Sequence, residues 1–153
     1  MKLEIKNLVK KFNSIVAVNN ISFVIGKNKT LGLLGPNGCG KTTSIGMMLG
    51  LITPSSGQVY INEIKLEPKS RISLLSLMNF ASPYIELPKK LTVKQNLEIY
   101  ARLYGVKKVS DRISEMTEDL NLKDFLNNKT GELSSGQKNR VSSAKSLINK
   151  PKL

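Results

Sequence analysis

The chain has 153 residues, enough for one domain or part of one to bury a core, and its 40% hydrophobic content agrees with a globular protein. Lys and Arg number 24 against 11 Asp and Glu, a formal net charge of +13 that would suit a phosphate-rich partner. There is no histidine and one cysteine, which excludes a histidine-based catalytic triad, a histidine metal site and an internal disulfide.

The basic residues are scattered. Lys10-Lys11, Lys89-Lys90 and Lys107-Lys108 are pairs, no block of five like charges occurs, and the aromatics do not interleave with them. Solvated lysine faces are therefore expected rather than a nucleic-acid platform. The chain starts without a secretory apolar segment, which points to the cytosol. Its longest apolar stretch, Ile45 to Ile52, is broken by Gly46 and Gly50 and falls short of the ~20 residues of a spanning helix. Any membrane association is expected to pass through a partner.

In chain order, Leu3 to Leu8 alternates apolar and polar residues through Lys6, and Val16-Ala17-Val18 and Ile21 to Ile25 follow, with Asn-rich or Gly-Lys breaks between them. These read as strands of an antiparallel edge sheet. The run Thr30-Leu31-Gly32-Leu33-Leu34 reads as a buried strand. It leads into Gly35-Pro36-Asn37-Gly38-Cys39-Gly40-Lys41-Thr42, which fits the phosphate-loop pattern G-x-x-x-x-G-K-[ST] without a mismatch. Glycines allow the backbone to curl until successive N–H groups face inward, and a following helix adds the pull of its dipole on an anion. Lys41 is expected to reach the β- and γ-phosphates and the Thr42 hydroxyl to ligate Mg²⁺. A Gly-rich turn without function is the bland alternative; the strand before and the helix after the loop argue against it. Cys39 is either a reactive thiol in this loop or a filler residue.

After the loop, Ile45, Met48, Leu49 and Ile52 fall at helical spacing, with Gly50 and Pro54 as the stop, and Gly46 inside that helix implies close packing. Gln58 to Ile61 and Ile64 to Leu66 around Asn62-Glu63 read as a hairpin. The period then changes to helical. Thr92 with Gln95 forms a capping box ahead of a stripe at Val93, Leu97, Tyr100, Ala101 and Tyr104, and Gly105 closes that helix. A further helix carries Ile113, Met116 and Leu120. Ser134 and Gln137 form a second capping box, followed by a stripe at Val141, Ala144, Leu147 and Ile148. Taken alone, Leu133-Ser134-Ser135-Gly136-Gln137 is compatible with the start of any amphipathic helix.

A phosphate loop, a helical insertion and then Leu-Ser-Ser-Gly-Gln with Lys138, Arg140 and Ala144 behind it resembles the nucleotide-binding domain of ABC transporters, over almost the whole chain. Thr92-Val93-Lys94-Gln95-Asn96-Leu97 looks like the stretch that opens the family's helical subdomain. The resemblance implies an α/β P-loop NTPase fold of ABC type: an antiparallel β edge subdomain, a partial parallel core sheet and a helical subdomain. The implied parts are a β-rich and P-loop core over about 1–83, a helical subdomain over about 84–132 and a signature helix over about 134–149. It also implies ATP and Mg²⁺ as cofactors. The implied ATP site comprises Phe12, Gly35, Pro36, Asn37, Gly38, Cys39, Gly40, Lys41, Thr42 and Thr43, with Thr42 on the metal. Ser134, Ser135, Gly136 and Gln137 would close over the γ-phosphate held by an opposing subunit. Ser135 stands where the family usually has glycine. Phe12 matches the aromatic that stacks on adenine, with core packing as an even alternative. The family's Gln loop should fall near Ala81 to Tyr84, where no glutamine occurs, so either Ser82 stands in or coupling at that step is altered.

The family's Walker B strand, with its Mg²⁺-ligating Asp and catalytic Glu, should begin just after Pro151-Lys152-Leu153, and none of the 11 acidic residues matches such a position. The expectation is an N-terminal piece of a longer ATPase, poorly stable and hydrolytically inactive alone; a short, non-hydrolysing ATP-binding variant is the competing idea. The partners implied are a second nucleotide-binding domain, as homo- or heterodimer, and an integral membrane transporter subunit, with the protein peripheral on the cytoplasmic face. The segment from Pro83 to Pro88 is a candidate contact with that subunit. No direct nucleic-acid binding is expected. The alternatives are a soluble ABC-type ATPase acting on nucleic acid or ribosomes, supported by charge alone, and, last, a P-loop kinase or GTPase.

Overall fold

The computed structural model describes residues 1–82 and 87–152. They fall into two compact units, Met1–Leu75 and Ser76–Leu153.

The first unit is built on a sheet of β1 (Leu3–Phe12), β2 (Ile15–Ile25), β3 (Ser56–Ile61) and β4 (Ile64–Lys65), all antiparallel, in the order β2-β1-β3-β4. Alternation in β1 and β3 puts Leu3, Ile5, Val59 and Ile61 inside. The hairpin read around Asn62-Glu63 forms, and both turn residues are left-handed, at φ 48° and 66°. Two left-handed residues give the turn the twist that a two-residue hairpin needs. Asn62 fixes it further, its Oδ1 accepting a hydrogen bond from the Lys2 N–H at 2.8 Å.

The two segments 16–18 and 21–25 are one strand, β2, rather than two strands separated by a break. Asn20 adopts φ 49° opposite Asn7 at φ 48°, and the Asn7 amide donates to Asn20 Oδ1 at 3.0 Å. Asparagine tolerates the left-handed region, so the pair makes an irregularity in the ladder between Ile5 and Leu8 and the strand continues through it. Gly57 meets the same irregularity from β3. At φ +85°, a Cβ there would lie 2.2 Å from the Asn7 carbonyl oxygen.

Residues 30–34 do not form the buried strand read from their composition, and the sheet among the described residues is antiparallel throughout. Leu34 is 92% exposed and Leu31 47%. The reason is pairing. A central parallel strand is held by ladders on its sides and helices on its faces, and among the described residues no strand pairs with this segment. Past them, α1 (Lys41–Met48) forms and ends as read, with Gly50 at φ 64°. Gly46 is a close-packing residue: a Cβ there would come within 2.7 Å of Ile52 Cδ1, and its carbonyl accepts from both Leu51 N and Ile52 N. A further helix, α2 (Pro68–Leu75), carries no apolar stripe that would announce it; it buries Leu74 and leaves Ile72 exposed.

The second unit packs α3 (Val93–Leu103), α4 (Val109–Asp119) and α5 (Ser135–Leu147) around Leu97, Ala101, Ile113, Met116, Val141 and Ala144. The stripes read from the sequence face this core, with Tyr104 and Leu147 at its exposed margin. Arg112 of α4 is buried and clamps the end of α5. Its Nε donates to the Ile148 carbonyl at 2.8 Å and its Nη2 to the Leu147 carbonyl at 2.5 Å, while Nη1 pairs with Glu115 at 2.7 Å. A cation at a helix C-terminus satisfies carbonyls that have no intrahelical donor. The hydrogen bond from Arg112, then that from Lys150, holds the Glu115 carboxyl below the usual range. No helix among the described residues is long and apolar enough to cross a membrane.

Gly57→Ala should destabilise the first unit by about 2 kcal/mol, because the new Cβ meets backbone that cannot move aside and the residue is held in a left-handed conformation. Chemical denaturation read by circular dichroism checks this, and an unchanged midpoint would contradict the close approach of Gly57 to Asn7.

Candidate nucleotide-binding site

The loop from Gly35 to Gly40 lies between the exposed 30–34 segment and α1. Its last residue decides its position. Gly40 is the N-cap of α1 at φ 91°, and a Cβ on it would sit 2.2 Å from the Ala17 carbonyl oxygen and 3.2 Å from Val18 Cγ2. The loop is thus seated on β2 by a backbone contact that only glycine permits. From there the Ser44 N–H donates to the Gly40 carbonyl at 2.8 Å, closing the first turn. The N–H groups of Lys41, Thr42 and Thr43 precede that bond and have no acceptor within the helix. No acidic side chain occupies the first turn of α1 to compete for them.

Lys41 folds back over the loop. Its ammonium donates to the Gly35 carbonyl at 2.8 Å and the Pro36 carbonyl at 2.7 Å, and lies 3.7 Å from Cys39 Sγ. These are exposed partners, which an anionic oxygen can replace with a charge-assisted and stronger bond. Gly35 to Cys39 are exposed, as is Thr42, while Ser44 is buried. The donor set is the one that polyphosphate requires: uncovered amides at a helix N-terminus and one mobile cation. For a divalent ion the chain supplies less. Among the described residues no group of three or more Cys, Asp or Glu could hold a metal, so Thr42 would be its protein ligand here, beside phosphate oxygens and water.

Phe12 ends β1 and is 47% exposed, outside the buried core, so the core-packing alternative does not describe it. It pairs with Ile15 across the hairpin, and Ala17, two residues further along β2, is the residue whose carbonyl meets Gly40. Two residues of strand span about 7 Å. The ring and the phosphate loop therefore stand at the same end of the hairpin.

In the second unit Ser134 caps α5 in a complete capping box. Its Oγ accepts from the Gln137 N–H at 3.3 Å, and Gln137 Oε1 accepts from the Ser134 N–H at 2.8 Å. Ser135 and Gly136 are exposed, and nothing lies within 4 Å of where a Gly136 Cβ would be. This helix N-terminus is accordingly uncovered. A cavity of about 190 Å³ beside it is lined by Ser82, Lys89, Thr130, Ser135, Lys138 and Ser142, among others. Ser82, one of the two alternatives raised for the missing glutamine, is among its lining residues; Pro83 and Tyr84, and the rest of the candidate contact up to Glu86, lie outside the described residues.

Comparison with known proteins decides the family, since the ABC transporter family matches residues 18–153. This chain belongs to it. The probable multidrug ABC transporter ATP-binding protein YbhF of Escherichia coli K12 is 36% identical over 151 residues, covering 97% of this chain and 26% of that protein. The Nod factor export ATP-binding protein I of Rhizobium sp. strain N33 is 31% identical over 153 residues, covering 99% of this chain and 50% of that protein. The chain thus spans between about a quarter and a half of these curated relatives. Among solved structures, the dimeric bacterial ABC transporter cassette MJ0796 superposes with a TM-score of 0.81 at 27% identity, covering 97% of this chain and 70% of that one. The same cassette has been solved in a post-hydrolysis state bound to ADP and Pi, matching at a TM-score of 0.80 and 28% identity over the same shares. In this ABC transporter chain, sequence reasoning missed two contacts of the expected site residues. The Ala17 carbonyl left no signal, being backbone. Lys10, whose ammonium stands over Phe12, had one in its i, i+2 spacing on β1.

Replacing Ser134 by Ala removes the side-chain acceptor of the Gln137 N–H and should cost about 1 kcal/mol locally, roughly a fivefold faster amide exchange at Gln137. Hydrogen exchange by NMR measures it; unchanged protection would mean that the capping box does not hold this helix start.

Proposed function

We propose that the chain is the ATP-binding part of an ABC transporter subunit, taking ATP with Mg²⁺ through Gly35 to Thr43 and working with a membrane-embedded partner. The observation that carries this reading is the Lys41 ammonium resting on two loop carbonyls above an uncovered helix N-terminus. Binding exchanges those carbonyls for phosphate oxygens, and the backbone amides that follow Gly40 hold the remaining charge. Mg²⁺, when bound, would neutralise the charge of the phosphate oxygens, and Thr42 would anchor it. Phe12 would take the base, at the hairpin end where Gly40 is seated.

Ser134, Ser135, Gly136 and Gln137 would act in trans, presenting a second helix N-terminus to the phosphates bound by an opposing cassette. The dimer of the related cassette MJ0796 supports such an arrangement. Closure of one subunit on the other would then bias the conformation of the membrane partner, with the protein lying peripherally on the cytoplasmic face. The names of the relatives, multidrug and Nod factor export, favour transport over action on nucleic acid. Hydrolysis requires a carboxylate to hold the metal and another to position water, and none of the 11 acidic residues matches the family's positions for them. Residues 1–153 by themselves would therefore bind ATP and not turn it over.

Lys41→Ala should weaken MgATP binding by about 2 kcal/mol, roughly thirtyfold, as measured by titration with a fluorescent ATP analogue. Undiminished affinity would overturn the assignment of the loop. Phosphate release from MgATP by residues 1–153 alone should stay at background, and Mg²⁺-dependent turnover by that polypeptide would refute the binding-only role.

A further inference from the structure

We propose that Lys10 is a positioning residue for the base-stacking ring: its ammonium covers one face of Phe12 and is anchored on the Thr53 carbonyl, so that the ring is held with its other face open to a nucleotide base. This rests on the assignment of Phe12 to the base.

The geometry has three parts. Lys10 and Phe12 are two residues apart on β1, so their side chains leave the same side of the strand. The Lys10 ammonium lies 4.9 Å from the centroid of the Phe12 ring, within the distance at which a cation is drawn to an aromatic face. The same ammonium donates to the Thr53 carbonyl at 2.8 Å. Lys10 is half-buried, unlike its exposed neighbour Lys11.

Thr53 gives the contact its meaning. It follows Leu51 and Ile52, whose N–H groups are both fixed on the Gly46 carbonyl of α1. That helix begins at Lys41 of the phosphate loop. One ammonium therefore ties the ring to the chain that leaves the phosphate-binding helix. An exposed phenylalanine at a strand end has rotamer freedom to lose when a base stacks on it, and a ring already held by a cation loses less on binding. The cation also blocks one face, leaving a single face to a base. The effect concerns the base alone, because the phosphates are held by Lys41 and loop amides.

The experiment titrates ATP and inorganic tripolyphosphate, each with Mg²⁺, into the full-length protein by calorimetry. Lys10→Met keeps the stem and removes the charge. It should weaken ATP about two- to fivefold, the range expected of an exposed cation–π contact, and leave tripolyphosphate unchanged. Intact tripolyphosphate binding would also show that the variant is folded. In a Phe12→Ala background the Lys10→Met effect on ATP should vanish. Equal losses for ATP and tripolyphosphate, or a loss that persists without the ring, would overturn the proposal. So would wild-type ATP affinity in Lys10→Met when Phe12→Ala is weakened, and that pattern leaves base stacking standing. If Phe12→Ala itself binds ATP as wild type does, base stacking fails and the Lys10 role with it.

Discussion

The contact on which the site depends is backbone against backbone: Gly40 lies so close to the Ala17 carbonyl that a single added carbon would be 2.2 Å from it. Through this contact the antiparallel sheet fixes where the phosphate loop ends and where α1 begins. The left-handed conformation of Gly40 then turns the chain into the helix, whose first-turn amides have no acceptor within it. Anion binding by such a loop is a property of backbone placement, which side chains tune but cannot create.

Side chains enter in a second tier. Lys41 is satisfied by loop carbonyls, which keeps a positive charge at the site without committing it. Lys10 and Phe12 stand at the hairpin end, and the register of β1 against β2 puts them there, including the irregularity held by Asn7 and Asn20. A slip of one residue in that pairing would reverse the faces of both. The bulge and the site are in this sense coupled, although no residue of the bulge belongs to the site.

The second unit follows a separate logic. Polar groups fix three of its helix ends: α3 and α5 by reciprocal capping boxes at their starts, and α5 by the Arg112 guanidinium at its finish. A buried arginine is costly to desolvate, and this one recovers the cost through two carbonyls and Glu115. The uncovered start of α5 is thereby mounted on a helix whose other end is clamped.

Local chemistry was legible in the sequence. The phosphate loop, both capping boxes, the Asn62-Glu63 turn, the close packing at Gly46 and the helical stripes each depend on residues near one another in the chain, so the pattern carries the physics. What only the tertiary structure decided is non-local. Whether 30–34 becomes a strand depends on neighbours, and apolar composition cannot supply a ladder partner. Whether Asn19-Asn20 breaks a strand or bulges it depends on Asn7 across the ladder. The helix at 68–75 lacks a stripe because little of it is buried. The seat of Gly40 on Ala17 and the hold of Lys10 on Phe12 and Thr53 join residues distant in sequence through a carbonyl, a ring face and a charge, and such pairings exist only once the chain has folded.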